Sequence, residues 1–295
     1  MRKLVSAVLI AGAAVFATQD ALAGQITASS GPIKINGKPA TLPVTLQKGD
    51  TVETGSATAT FKSDAGDVVT IDRSTVAKSE GAQGGVEYFF VVSGSATGNL
   101  SEKTTLGVAT SWATAPQGVR TEVRVEAPAD RPGTEGRFRT VSGGTWLRND
   151  SYAVWLPAEH SVTLWRDRTK KGSMCFRTSQ QNQGTVDINK TVSGGNIKIS
   201  VPRAASGCVE DWVNNRTKIS NEITSNKQEK IHIETEFGSK SEANLGPGTY
   251  ALIDNQTGGI ELIDETVDDS IGEEIPSYDP IDDASDASVT RRTTR

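Results

Sequence analysis

Residues 48–76 read KGDTVETGSATATFKSDAGDVVTIDRSTV and carry the clearest structural signal of the chain. Two glycine-marked turns separate short segments in which β-branched residues alternate with polar ones. Such alternation predicts short strands with one apolar and one polar face, joined by tight corners. Gly49 and Gly55 permit backbone angles that other residues resist, and Asp50 can hydrogen-bond within its own turn. The stretch therefore predicts a corner of a β fold.

The rest of the chain carries similar signals. Its 29 glycines and its aromatic fraction of only 5% favour turns and strands, and no segment shows a sustained helical period of apolar residues. Asn36 and Gly37 are expected to close a hairpin. The apolar segment 86–92 predicts a strand buried on both faces, and residues 209–220 are compatible with a short helix or a strand. Further strands are predicted at residues 119–125, 138–141, 145–147, 152–156, 161–165, 186–188, 197–201, 230–235, 249–253 and 260–263. We predict an all-β protein.

Changes in composition suggest four segments. Residues 1–23 are predicted to be a signal peptide and residues 24–167 a first β domain. Residues 168–263 are predicted to form a second, C-terminal β region that contains both cysteines. Residues 264–295 are rich in Asp and Glu and poor in apolar residues, so that an acidic, disordered tail is expected.

The N-terminus has the pattern of a cleavable secretory signal. A basic start is followed by an apolar segment at residues 4–16 and by the A-x-A pattern of residues 21–23, which predicts cleavage after Ala23. A retained N-terminal anchor is the alternative. No later segment reaches the roughly 20 apolar residues that a membrane span requires, so a periplasmic or extracellular location is expected. Cleavage would change the formal charge from −5 to −6, and such an acidic chain is not expected to bind nucleic acid.

The chain has two cysteines, Cys175 and Cys208. In an exported protein a disulfide between them is expected. It would stabilise the fold by roughly 3–4 kcal/mol in the chain-entropy model. The alternative is a catalytic thiol, because residues 206–208 with Val209 resemble the Ser-x-Gly-Cys-hydrophobic-Arg motif of L,D-transpeptidases. Here Glu210 stands in place of the arginine, and a negative neighbour disfavours a thiolate.

No other segment predicts catalysis. His160 and His232 lie outside any histidine or cysteine spacing that is typical of zinc sites. The G-x-S-x-G, S-x-x-K and P-loop signatures are absent from the sequence. We therefore expect a non-enzymatic protein without a cofactor, a metal site or catalytic residues.

The five tryptophans offer two interpretations. Trp146, Trp155 and Trp165 are expected to pack in the core or between layers, although an aromatic platform for sugars is the alternative. A coplanar, exposed pair would favour glycan binding. The tryptophans are Trp112, Trp146, Trp155, Trp165 and Trp212.

Residues 48–76 resemble the FecR domain, an envelope module named for the iron-dicitrate sensor family. The family signature begins with Gly-Asp-x-hydrophobic-x-Thr-Gly and continues with a strand, an Asp/Gly turn and a hydrophobic strand. The residues that carry the resemblance are Gly49, Asp50, Val52, Thr54, Gly55, Gly66, Val69, Ile71, Ser74 and Val76. Residues 119–125 resemble a later family segment, but its glycine is missing and Val123 replaces a phenylalanine. The resemblance covers about residues 40–167.

The resemblance implies stacked short antiparallel strands in residues 24–167, followed by the second β region. The best-known members of the FecR family regulate sigma factors through a cytoplasmic helix and a membrane anchor. A predicted cleavable signal replaces both here, so a secreted variant without the sigma-regulator role is expected. The implied function is non-catalytic binding of an unidentified envelope protein or glycan. The alternatives are a carbohydrate-binding or surface-matrix protein and, third, a cell-wall transpeptidase or hydrolase.

Overall fold

The computed structural model describes residues 21–264, except for 65, 84–85, 101–105, 111–113, 116–118, 129, 131–134, 150 and 225–227. The predicted tail beyond residue 264 and most of the predicted signal peptide lie outside this range. The described residues contain no helix, and hence none that is long and apolar enough to cross a membrane. The prediction of an all-β fold is confirmed.

The described residues form twenty-four strands. The first twelve are β1 (Ala21–Ser29), β2 (Lys34–Ile35), β3 (Lys38–Pro39), β4 (Val44–Gln47), β5 (Thr51–Glu53), β6 (Ala59–Ser63), β7 (Val68–Ile71), β8 (Val76–Gln83), β9 (Val86–Leu100), β10 (Leu106–Ala109), β11 (Thr114–Ala115) and β12 (Val119–Ala127). The second twelve are β13 (Glu135–Arg148), β14 (Tyr152–Leu156), β15 (Ser161–Trp165), β16 (Met174–Thr178), β17 (Val186–Val192), β18 (Gly195–Val201), β19 (Ala205–Trp212), β20 (Arg216–Thr224), β21 (Ile231–Phe237), β22 (Ser239–Leu245), β23 (Thr249–Asp254) and β24 (Ile260–Asp264).

The strands pair into two long layers. Layer A has the order β4-β1-β6-β7-β9-β12-β13-β15-β16-β19-β20-β23-β24. Layer B has the order β3-β2-β5-β8-β9-β10-β11-β13-β14-β17-β18-β21-β22. All of these pairings are antiparallel except that of β9 with β10.

The two longest strands belong to both layers. Residues 86–93 of β9 pair with β8 in layer B, and residues 94–100 pair with β7 and β12 in layer A. Residues 135–144 of β13 likewise pair in layer A, and residues 145–148 pair with β14 in layer B. Gly94 lies where β9 changes layer, and its φ of 93° is one that glycine adopts without strain.

The core lies between the layers. Alternate residues of each strand are buried, as β17, β18 and β21 show in their regular burial patterns. Phe61 of layer A meets Phe89 of layer B with ring centroids 5.7 Å apart. One cluster of buried side chains extends from Ile26 to Ile253. Burial of one apolar face per layer is therefore what holds the layers together.

Local predictions have mixed outcomes. Asn36 and Gly37, with φ of 52° and 75°, close the predicted hairpin between β2 and β3. Residues 209–220 contain strand and turn but no helix. The prediction that residues 86–92 are buried on both faces is wrong, because Val92 is 37% exposed and Phe90 is only half-buried. The outward side chains of this segment lie on the outer face of layer B.

The predicted boundary at residue 167 stays a prediction. Strands on either side of it are hydrogen-bonded to each other, since β15 pairs with β16 and β14 pairs with β17. The C-terminal β region therefore continues both layers. Residues 21–23, next to the predicted cleavage point, are part of β1.

Candidate functional site

The first half of the family-like motif builds a turn. Gly49 has φ of 92°, and Asp50 accepts a 2.7 Å hydrogen bond from the backbone N–H of Gln47 through Oδ2. Its Oδ1 accepts a second from Nδ2 of Asn36, also at 2.7 Å. Asp50 thus hydrogen-bonds within its own turn, as the sequence predicts, and it also ties this turn to the hairpin of β2 and β3.

The second half builds a second corner around Thr54, which is fully buried. Its Oγ1 donates a hydrogen bond to the carbonyl of Asp72 at 2.7 Å and accepts one from the N–H of Thr75 at 3.0 Å. Gly55 and Ser74 both have positive φ, and the N–H of Ser74 donates to the carbonyl of Gly55 at 2.6 Å. The buried hydroxyl of Thr54 is therefore satisfied within the fold.

The remaining motif residues also have structural roles. Val52 and Ile71 are fully buried in the core. Gly66 has φ of 90° in the turn between β6 and β7, where its N–H donates to the carbonyl of Ser63. Val52, Ile71 and Gly66 therefore have roles in packing and in turns.

The predicted disulfide is confirmed. Cys175 of β16 and Cys208 of β19 lie directly opposite each other and are bonded. Neither retains a thiol, so the nucleophile that a transpeptidase would need at Cys208 is absent.

His160 has a structural role. Its Nδ1 lies 2.7 Å from the carbonyl oxygen of Ala158, to which it donates, and its Nε2 accepts a hydrogen bond from the N–H of Gly184 at 3.1 Å. Both ring nitrogens are thus used within the fold, and the side chain is buried.

A buried polar cluster links the two layers. Tyr152 of layer B donates its hydroxyl to the carbonyls of Gly172 and Val209 at 3.1 and 3.2 Å. Burial, followed by the nearby charge of Asp211, strongly raises the pKa of this tyrosine. The buried Lys190 ammonium lies 2.5 Å from Asp211 and 5.4 Å from the Tyr152 ring. Tyr152 and Lys190 of layer B thus both contact β19 of layer A, although the side chain of Asp211 is 52% exposed, and these contacts indicate a structural cross-link.

The tryptophans occupy different environments. Trp146 and Trp155 are a directly opposed cross-strand pair on the outer face of layer B, with ring centroids 5.3 Å apart and planes inclined by 51°. The rings are therefore not coplanar. Trp165 packs beside Arg177, whose guanidinium carbon is 5.6 Å from its ring. Trp212 is 39% exposed, and Trp112 lies outside the described residues.

An open groove of about 600 Å³ runs along the outer face of layer B. Trp146 forms one wall, and amide and charged side chains of β17, β18, β21 and β22 supply most of the rest. The lining residues are Trp146, Asn189, Asn196, Lys198, Glu234, Thr235, Glu236 and Lys240. A single aromatic wall next to planar polar groups can bind a polar ligand, including a sugar ring.

A titratable cluster lies beside the groove on the hairpin of β21 and β22. His232 and Glu234 alternate along β21 and share its outer face, and Glu242 lies directly opposite Glu234. A hydrogen bond from Lys240 is the largest cause that lowers the pKa of Glu234, and a hydrogen bond from His232 adds to it. Sequence reasoning set His232 aside, although its H-x-E alternation within a strand pattern was visible. The approach of Glu242 depends on the register of the hairpin.

The C-terminal end of layer A presents a second surface. On the outer face, the Lys218 ammonium lies 4.5 Å from the Trp212 ring centroid and 4.2 Å from that of Tyr250. Val213, in the adjoining turn, is exposed. Exposed aromatic and apolar side chains around a cation are typical of protein contact surfaces.

Among the described strands, β24 is the edge strand of this layer. The backbone groups of successive β24 residues point alternately towards β23 and away from it. Asp254 donates a backbone hydrogen bond to Gly259, and the pairing of β23 with β24 continues without a bulge. Because antiparallel bonds alternate, Glu261 and Ile263 bond to β23, whereas the backbone N–H and carbonyl of Leu262 point away from it. No described strand pairs with this second edge of β24.

Leu262 also has an unusual side-chain position. It lies opposite the fully buried Ala251 and therefore extends the core-facing side of the layer. It is nevertheless 51% exposed, because no further described strand covers it. An outward-pointing backbone and a half-exposed core-facing leucine thus coincide at one position.

Comparison of the chain with protein-family models, with curated protein sequences and with solved structures finds no match.

Proposed function

We propose that this chain is an exported, non-catalytic binding protein with a FecR-like β domain, and that it binds an extended segment of an envelope protein along the outer edge of β24. The observation that carries the proposal is Leu262. Its backbone groups point away from β23, its core-facing side chain is 51% exposed, and no described strand pairs with this edge. Addition of a strand to a sheet edge uses main-chain hydrogen bonds for affinity and alternate side chains for specificity.

The charge of the edge indicates the partner's chemistry. Glu261 and Asp264 lie in β24, and the exposed Glu261 pairs with Arg216 only at 3.4 Å. A partner segment that places an apolar residue over Leu262 and a basic residue near the Glu261 carboxylate would complement the edge. The disulfide and the predicted signal peptide support export to an oxidising compartment.

Two substitutions at one position test the proposal. Leu262→Pro removes the outward N–H, whereas Leu262→Ala keeps it and shortens only the side chain. We expect a photo-crosslinker at the exposed residue 261 to capture a discrete envelope protein in the native cell. Leu262→Pro should abolish this capture, and Leu262→Ala should weaken it.

A similarly exposed apolar residue supplies the control. Val141 is 39% exposed in β13, in the interior of layer A rather than at its edge. Val141→Ala should leave capture unchanged. Equal capture by the Leu262→Pro variant, which should keep the wild-type circular dichroism spectrum, would contradict strand addition.

A second candidate function is glycan binding in the layer B groove, which the position of Trp146 favours. The 51° inclination between Trp146 and Trp155 does not provide the flat two-ring platform that stacks on consecutive sugars. A glycan array probed with the wild-type protein and the Trp146→Ala variant tests it. Binding that is lost in the variant would support the groove as a sugar site, and an array without signal would exclude it for the glycans displayed.

A further inference from the structure

The hairpin of β21 and β22 gathers three potential metal ligands at one point. We propose that His232, Glu234 and Glu242 bind a divalent transition-metal ion, with zinc as the expected occupant. His232 and Glu234 are two residues apart on β21, so both point to the outer face of layer B. The register of the hairpin places Glu242 opposite Glu234 and Asn244 opposite His232.

The distances suit a tetrahedral ion. Nε2 of His232 lies 3.3 Å from Oε1 of Glu234 and 3.9 Å from Oε2 of Glu242, and one ligand atom from each residue lies within 4.8 Å of the others. Zinc–nitrogen and zinc–oxygen bonds of about 2.0–2.1 Å give a tetrahedral edge of about 3.3–3.4 Å. The first pair already has this spacing. The side chain of Glu242 is 63% exposed and can move the short remaining distance.

The orientation of His232 is fixed by a neighbour that is not a ligand. Its Nδ1 lies 3.0 Å from Oδ1 of Asn244, and because an amide oxygen only accepts, the ring donates from Nδ1. Nε2 then faces the two carboxylates and donates to Oε1 of Glu234. A bound metal ion would take the place of this Nε2 proton. Histidines that bind metals typically donate their second ring N–H to such a partner, which sets the tautomer and the ring plane.

The local charges call for a cation. Glu234 and Glu242 are directly opposed like charges, an arrangement that destabilises a β-ladder. Lys240 partly neutralises them, with its ammonium nitrogen 3.3 Å from Oε1 of Glu234 and 3.9 Å from Oε2 of Glu242. These are the same oxygen atoms that approach His232. The side chain of Lys240 is 60% exposed and can swing into solvent, so that a metal ion would displace it.

The donor set selects the class of metal. One imidazole nitrogen and two carboxylate oxygens suit Zn²⁺ and, by the Irving–Williams order, Cu²⁺. Mg²⁺ and Ca²⁺ prefer sites made only of oxygen ligands, with six or more positions filled. Three protein ligands on an exposed face leave a fourth position for water or for a partner's side chain.

Isothermal titration calorimetry of the purified protein with Zn²⁺ tests the site. The visible absorption spectrum of the Co²⁺-loaded protein reports the coordination geometry. We expect one ion per chain and a tetrahedral cobalt spectrum. His232→Ala and Glu242→Gln should each weaken binding at least tenfold, and Asn244→Ala should weaken it about tenfold. Lys240→Met should strengthen binding several-fold, because it removes the competing ammonium group.

The matched control is Glu236→Gln, on the same hairpin and opposite Lys240 but outside the ligand set. It should bind Zn²⁺ as the wild type does. Binding that survives His232→Ala unchanged would place the ion elsewhere in the chain and overturn the proposal. An absence of saturable binding, or weaker binding by Lys240→Met, would overturn it as well.

Discussion

The buried hydroxyl of Thr54 provides a direct test of what stabilises the corner between β5 and β8. Thr54→Val replaces a hydroxyl by a methyl group of nearly the same volume, so that packing is preserved and hydrogen bonding is lost. In the native corner, Oγ1 donates to the carbonyl of Asp72 and accepts from the N–H of Thr75. The valine variant leaves both backbone groups without this partner.

The magnitude follows from these contacts. A buried donor that loses its partner costs about 1–3 kcal/mol, and the loss at the Asp72 carbonyl adds to this cost. We expect Thr54→Val to lower the free energy of unfolding by about 2–4 kcal/mol. Thr54→Ser keeps the hydroxyl and removes one methyl group, for which we expect a loss of about 1 kcal/mol.

Urea denaturation followed by tryptophan fluorescence measures both variants. The order of the midpoints is the decisive quantity, with wild type highest, Thr54→Ser next and Thr54→Val lowest. A valine variant that unfolds at or above the midpoint of the serine variant would show that the methyl group, rather than the hydroxyl, stabilises the corner. The hydrogen bonds of the Thr54 hydroxyl would then not be a source of the stability of the corner.

Three further predictions concern the disulfide, a glycine and a carboxylate. Replacing both Cys175 and Cys208 by alanine opens a bridge with a sequence separation of 33 residues and should cost about 3–4 kcal/mol in urea denaturation; an unchanged midpoint would contradict this. Gly94→Ala places a Cβ 2.5 Å from the Thr75 hydroxyl oxygen, whereas Gly238→Ala, also at positive φ, meets nothing within 4 Å. The Gly94→Ala variant should therefore be less stable than the Gly238→Ala variant by about 1–3 kcal/mol in the same assay. Backbone hydrogen bonds lower the pKa of Asp254, so its stabilisation is present above its unfolded pKa and is lost as the pH falls through the lower folded pKa. Asp254→Asn should flatten thermal stability against pH in this acidic range, and an unaltered profile would exclude the contribution.

The predictable part of the fold is local. Gly49, Asp50 and the pair Asn36 and Gly37 determine their turns through their own backbone preferences, so single-sequence reasoning locates these corners. The disulfide was also predictable, because a chain with a predicted export signal and two cysteines leaves one pairing.

The remaining features depend on contacts between distant segments. The segment 86–92 looks fully buried in sequence, yet Val92 faces outwards, because its environment depends on which strands surround β9. The parallel pairing of β9 with β10 has no local signature. Leu262 is informative only once β24 is known to be an edge strand, and Glu242 meets His232 only through the register of a hairpin.

The sharing of β9 and β13 between layers bears on how the molecule would resist mechanical load. Tension on the C-terminal end would first peel β24 from β23 and then detach the strands of layers A and B in turn as far as Cys208. There the disulfide would pass the load directly to Cys175 of β16. At β13 this unzipping would meet a strand held in both layers at once. We expect the force needed for unfolding to increase at β13, and again at β9, when the chain is pulled from its C-terminus.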